Sequence, residues 1–257
     1  MDKRAIVVGA TSGIGLEVAK ILAEKGWKVG IAGRRIELLQ EILCDWKSKH
    51  PQSDSGIIAY QQIDITSPDS PALLHSLIDR LGGMDLYFHS SGIGWQNNDL
   101  QTDKELMTVQ TNCLGFTRMV DEAMNYYKSK SQETKVKSTY QIVCITSIAR
   151  TKGLGCAPAY SATKRFQSHY LECLAQMVNM KKLPIQITDV RPGFVATDLI
   201  ANSNYPLQLK AEYVAKHIVK AIERRQSVIT IDWRYRLLVT FWQLIPRPIW
   251  IRMKVGK

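Results

Sequence analysis

Two hydrophobic patterns alternate along the chain. Short, mostly apolar runs at 5–8, 27–32, 56–61, 85–89, 140–146, 185–190 and 227–231 read as strands. Between them apolar residues return every three or four positions, first at Leu16, Ala19, Ile21, Leu22 and Ala23, then through 36–49, 68–80, 101–127, 158–180 and 210–225. That is the period of helices with one buried face. Strand and helix in turn predict one doubly wound α/β domain over residues 1–231, with about seven parallel strands and helices on both faces.

The joints between these elements carry the first chemistry. Gly9-Ala10-Thr11-Ser12-Gly13-Ile14-Gly15 turns the first strand into the first helix. Gly9 permits the turn, and Gly13 and Gly15 permit close approach of backbone, helix or ligand. The first-turn N–H groups of the helix are then placed to meet a phosphate, as in the first unit of a dinucleotide-binding Rossmann fold. The second strand closes at Gly33-Arg34-Arg35 with no acid. An acid there accepts both ribose hydroxyls of NAD, whereas an arginine grips the 2′-phosphate of NADP. The pair therefore reads as an NADP site, or else as an exposed start to helix 36–49. Asp64-Ile65 follows the third strand, where Asp64 could cap helix 68–80, although Thr66 or Ser67 is nearer the expected N-cap and Pro68 suits the first turn. Asn112 is a poor helix former inside helix 101–127 and needs a reason, a polar position facing a loop being one. The lysine-rich stretch 128–138 reads as a polar loop, and Pro192-Gly193 as a turn.

Length and composition narrow the class. The chain has 257 residues, 45% hydrophobic and 22% charged, the range of an ordinary globular domain. Only four apolar residues follow Met1-Asp2-Lys3-Arg4 before the glycine turn, so no secretory leader is expected. Cys44, Cys113, Cys144, Cys156 and Cys173 are scattered and odd in number, which fits buried thiols in a reducing cytoplasm. The histidines show no metal-ligand spacing, and no metal is expected. Net charge is +11, of which +8 lies between Tyr205 and Lys257. That asymmetry suits an anionic partner, or merely a solvated basic face.

A reactive trio stands out in the second half. Ser147 ends the fifth strand, and Tyr160 and Lys164 stand one helical turn apart on one face. A phenol with its ordinary pKa of about 10 is a poor acid–base group near neutrality, and an adjacent ammonium lowers that value. Such a tyrosine can pass a proton to or from an alcohol oxygen, while the serine hydroxyl holds the substrate carbonyl. With the glycine turn, these residues resemble the short-chain dehydrogenase/reductase family over residues 4 to about 231. The resemblance implies catalytic Asn112, Ser147, Tyr160 and Lys164, with the main-chain carbonyl of Asn112 holding a relay water and Lys164 also binding the nicotinamide ribose. It implies cofactor contacts from Gly9, Thr11, Ser12, Gly13, Ile14, Gly15, Arg34, Arg35, Asp64, Ile65, Ser90, Ser91, Gly92, Tyr160, Lys164, Pro192, Gly193, Val195 and Thr197. Asp64 would meet the adenine amino group, and the Pro192–Thr197 run would flank the nicotinamide. Where the family usually has Asn-Ala-Gly, this chain has Ser90-Ser91-Gly92. Residues 199–209 would form an apolar lid, and helices 101–127 and 158–180 the interface of a homodimer or homotetramer.

The segment 232–257 departs from an ordinary member. It holds three of the six tryptophans, Trp233, Trp242 and Trp250. Leu237, Leu238, Phe241, Trp242 and Ile245 form an apolar stripe opposite Arg236, Thr240, Gln243 and Arg247, and Pro246 and Pro248 stop the helix. Its longest uncharged run is ten residues, Leu237–Pro246, about half what a span needs. Two readings stand: an amphipathic helix lying in a membrane face, or a hairpin docked on this protein or its dimer mate. No nucleic-acid-binding motif is present.

The resulting expectation is an NADPH-dependent carbonyl reductase acting on an apolar ketone, such as a lipid-linked 3-ketoacyl or 3-ketosphinganine-like compound. It would be cytoplasmic, or held at the inner face of a membrane. The alternatives are an NAD(P)-dependent alcohol dehydrogenase working in the oxidative direction, a non-catalytic dinucleotide-binding scaffold, and a membrane adaptor.

Overall fold

A computed structural model describes residues 3–133, 139–197 and 207–255. Seven parallel strands form one sheet in the order β3-β2-β1-β4-β5-β6-β9. They are β1 (Arg4–Val8), β2 (Lys28–Gly33), β3 (Gly56–Gln62), β4 (Leu86–His89), β5 (Tyr140–Ile145), β6 (Ile185–Arg191) and β9 (Val228–Thr230). Along β1, Ala5 and Val7 join one core cluster and Ile6 and Val8 the other. Both faces of the strand are covered, and that is why the sequence shows an apolar run instead of alternation. On one face lie α1 (Gly13–Glu24), α2 (Ile36–Lys49) and α7 (Ala211–Glu223), with core residues Val18, Leu22, Leu39 and Ile218. On the other lie α3 (Ser70–Leu81), α5 (Phe116–Glu133) and α6 (Pro158–Met180), with Leu74, Phe116, Tyr127 and Leu171.

The strand order reverses between β1 and β4, which are hydrogen-bonded neighbours with Val7 opposite Phe88. Chains leaving these strands diverge, opening a crevice at their carboxyl ends. The Gly9 amide ties the glycine turn to the end of β2 through the carbonyl of Ala32 (2.8 Å), and the Ser90 amide donates to Val8 (2.8 Å).

Several local expectations are corrected. Helix α3 has Asp69 at its N-cap and Pro71 in its first turn. Asp64 instead closes a turn, its carboxylate accepting from the amide (2.9 Å) and hydroxyl (2.8 Å) of Thr66. The expected loop 128–138 is helical through Glu133, because pairs such as Lys130–Glu133 (2.7 Å) support the helix where charge alone suggested a loop. Residues 134–138 lie outside the described residues. Cys144 is buried, but Cys44 and Cys173 are exposed on the outer faces of α2 and α6. Most of the expected lid lies outside the described residues. Its last residue, Leu209, is buried in β8 (Leu209–Lys210), which pairs with β7 (Val195–Ala196), so it belongs to the core and not to a roof.

The tail forms α8 (Trp233–Leu244) and α9 (Arg247–Trp250), packed on the domain's carboxyl-end loops. Tyr235 is fully buried beside Gly193, where an added Cβ would run into its ring. Lys152 Nζ donates to the Ile245 carbonyl and Trp250 Nε1 to that of Gly153, both at 2.8 Å. Behind the sheet's end, the buried Asp189 carboxylate accepts from Thr146 and Ser168 hydroxyls, both at 2.5 Å, and from Arg191 Nε at 2.7 Å. Removing one partner of such a buried ion cluster costs about 3–5 kcal/mol, so the cluster fixes the ends of β5 and β6 where the site begins.

Candidate active site

The glycine turn is shaped for a ligand's phosphates. Gly9 has φ +89°, and a Cβ there would stand 2.6 Å from the Ser91 amide nitrogen. A Cβ on Gly15 would collide with the Gly9 carbonyl, so only glycine lets α1 start this close to β1. The Ser12 side chain makes no capping bond to α1, and the first turn holds no acid. Its hydroxyl instead accepts from Arg35 Nη2 (2.9 Å), which also bonds Thr11 Oγ1 (2.7 Å). Arg35 thus lies across the glycine turn, with the exposed Arg34 beside it. Thr197, from the run after β6, has its methyl 3.0 Å from where a Gly13 Cβ would be. Ile14, Ile65 and Val195 are buried, so only their backbones can meet a ligand. Pro192 accepts the Ile148 amide at 3.0 Å and Gly193 faces Tyr235, so both steady the wall of the crevice. Ser90 and Ser91 pack close against Gly9 and Gly15 of the glycine turn, and Gly92 lies beside Asn112 Oδ1 and Lys164 Nζ. Backbone N–H groups, a cation and close-packed glycines together fit a dinucleotide.

Asn112 explains its own place in the helix. From α4 (Thr102–Val109) to α5 the helix runs through a π-helical segment, Gln110–Gly115. A widened turn redirects backbone groups out of the regular ladder. The buried Asn112 amide pairs with the backbone of Ile93, accepting from its N–H (2.9 Å) and donating to its carbonyl (2.7 Å). That clamps the loop after β4 over the crevice. Gly94 then lies so close to Tyr160 that a Cβ would enter the ring.

Ser147, Tyr160 and Lys164 converge at the carboxyl ends of β4 and β5. The Ser147 hydroxyl accepts from the Ala149 amide (3.1 Å), which leaves its proton to donate to a substrate oxygen. Lys164 Nζ stands 5.8 Å from the Tyr160 ring centre and donates to the Ile145 carbonyl (3.1 Å). It is 5% exposed, and burial lowers its pKa to about 8, against the opposing pull of Asp189. His89 beneath it is held neutral, its pKa lowered to about 3 by burial and by the Lys164 charge.

Three participants escaped the sequence reading. Gln167 is fully buried and bridges the site: Oε1 accepts from Lys164 Nζ and Nε2 donates to the Asn112 carbonyl, both at 2.9 Å. The carbonyl to which the resemblance assigned a relay water thus has a side-chain partner. Glu105 of α4 accepts the Ala159 amide (2.8 Å), capping α6 where Ala157 has no side chain to do so. Gly94 is the third. Its signal was visible in Gly92-Ile93-Gly94, and Gln167's in its i,i+3 spacing from Lys164.

A parallel sheet split at β1 and β4, with a glycine turn and a Ser–Tyr–Lys group in the same crevice, defines a dinucleotide-dependent oxidoreductase. The chain belongs to the short-chain dehydrogenase family, whose sequence profile matches residues 3–207. It is 26% identical over 252 residues to an uncharacterized oxidoreductase of Myxococcus xanthus, covering 96% of this chain and 94% of that one. It is 28% identical over 220 residues to the mouse 3-oxoacyl-[acyl-carrier-protein] reductase, covering 85% and 84%. In fold it is similar to a short-chain dehydrogenase/reductase from Burkholderia phymatum solved with NAD, with TM-score 0.80 at 18% identity over 93% of this chain and 92% of that one.

The Gln167 bridge makes a pH prediction. Lys164 is an ammonium below about 8 and loses its charge as pH rises through that value. The Gln167 carbonyl favours the charged form, so kcat/KM for the cofactor should fall at high pH. Gln167→Leu should move that limb down by roughly half to one unit, and Gln167→Glu should move it up. Unmoved limbs in both variants would show that Gln167 only fills space.

Proposed function

We propose that this chain is an NADPH-dependent carbonyl reductase acting on an apolar ketone of the 3-ketoacyl kind. The convergence of Ser147, Tyr160 and Lys164 in the crevice carries the reading. A bound nicotinamide dinucleotide supplies the hydride. Ser147 donates to the substrate carbonyl and fixes its orientation. Tyr160 gives its proton to the oxygen as the carbon is reduced. The Lys164 ammonium steadies the phenolate left behind, and Gln167 and the Ile145 carbonyl hold that ammonium in place.

Arg35 across the glycine turn, Arg34 beside it and the lack of an acid at the end of β2 support NADPH over NADH. A 2′-phosphate there would gain charge-assisted hydrogen bonds. The mouse relative, a 3-oxoacyl-[acyl-carrier-protein] reductase, supports the substrate class. In titrations followed by cofactor fluorescence, NADPH should bind more tightly than NADH. Arg35→Ala should weaken NADPH by at least about tenfold and leave NADH nearly unchanged, with Arg34→Ala acting in the same direction. With NADPH, turnover should rise with acyl length along a series of 3-ketoacyl thioesters. Equal affinities for the two cofactors, or turnover confined to small polar ketones, would contradict the reading.

The catalytic unit is a homodimer or homotetramer in this reading. Leu106 and Leu114 are each 61% exposed and Met180 78% exposed on the α4–α5 segment and α6, and Met107 and Phe166 on the same elements are exposed as well. Apolar area of that kind suits a symmetric contact. Sedimentation should give two or four times the 29.1 kDa of the chain; a monomer at micromolar concentration would refute it.

A further inference from the structure

Helix α8 is apolar on two faces, where the sequence suggested one stripe. Tyr235, Leu238 and Val239 turn inward on the core, and the Trp242 ring meets that of the buried Trp250 at 5.3 Å. The outward face is apolar as well: Trp233, Leu237, Phe241 and Leu244 are 67%, 51%, 65% and 72% exposed. Their spacing puts all four within an arc of about 80°. Ile249, Ile251 and Met253 continue the patch and are also exposed. Polar Arg236, Thr240 and Gln243 separate the two apolar faces, and an outward face this apolar is ordinarily covered too. The domain covers the inward one.

Charge decides what covers the other. No acid follows Asp232, and Arg236, Arg247, Arg252 and Lys254 are all exposed around the patch. Arg234 is the exception, gripped by both oxygens of Asp232 at 2.9 and 2.8 Å. A second copy docked here about a twofold axis would bring these cations against themselves. An anionic bilayer would instead take the aromatic and aliphatic side chains between its headgroups and pair the cations with its phosphates. No described helix is long and apolar enough to cross a membrane, so the contact is a surface one. We infer that the outward face of α8 with the 249–254 segment is a docking surface for an anionic lipid bilayer. Because α8 and α9 are pinned to Gly193, Lys152 and Gly153, docking sets the carboxyl-end loops, and with them the site's mouth, beside the membrane. The inference rests on no assumption about cofactor or substrate.

The test is co-sedimentation of the full chain with vesicles of phosphatidylcholine, alone or mixed with phosphatidylglycerol. The native chain should pellet with the mixed vesicles and far less with phosphatidylcholine alone, and salt should weaken binding without abolishing it. The combined variant Leu237→Ser, Phe241→Ser, Leu244→Ser alters only exposed side chains and should bind at least about tenfold more weakly. Brominated lipid should quench part of the tryptophan fluorescence of the native chain, of whose tryptophans Trp233 is the most exposed, a reading that needs no variant. The inference is overturned if the native chain stays in the supernatant at low salt and is unquenched, or if the triple variant pellets equally well. It is overturned too if, without vesicles, the native chain is an oligomer that the triple variant splits, since the face would then belong to a second copy.

Discussion

The arrangement of the site follows from keeping one ammonium charged inside protein. Lys164 is almost wholly buried, and burying a lone cation costs several kcal/mol unless its protons are taken up. The Ile145 carbonyl at the end of β5 takes one, and Gln167 takes another. Gln167 is in turn held by the Asn112 carbonyl, presented by the π-helical segment. Asn112 then clamps Ile93, whose loop brings Gly94 under the Tyr160 ring. Each link has a geometric reason traceable to the charge at its centre. Burial still lowers the Lys164 pKa to about 8, against the opposing pull of Asp189, and the lysine remains mostly charged at neutrality.

The fold was legible because its strands are buried on both faces and its helices on one, so periodicity alone separated them. The Ser147, Tyr160 and Lys164 grouping could be picked out from spacing, since Tyr160 and Lys164 need only one helical turn to meet, and their catalytic role belongs to the proposed function. What stayed hidden depends on contacts between elements distant in sequence. Gln167 looks like any polar helix residue until α6 is laid against the π segment, 55 residues away. For Asp64 a helix cap stayed open as one reading because the turn that engages one carboxylate oxygen with Thr66 shows only in the folded chain. The loop expected at 128–138 failed in its first half because a charged stretch can be a solvated helix face.

The tail was half legible. Its helix and its proline stop were readable, but the apolar residues divide between two faces only once Tyr235 is seen wedged beside Gly193. Glycine there makes room for the ring, so the residue that the resemblance placed at the cofactor also seats the tail. One turn after β6 thereby couples the crevice to the outermost helix.

The central claim is that Tyr160 delivers the proton. Its most direct test is Tyr160→Phe in the full chain, which removes the hydroxyl and keeps the ring packed on Gly94. Ketone reduction, followed by cofactor absorbance, should fall by at least about a hundredfold while cofactor affinity stays within a few-fold of native. A variant that retained most of the native rate would contradict the account and leave the crevice as a dinucleotide site without this chemistry.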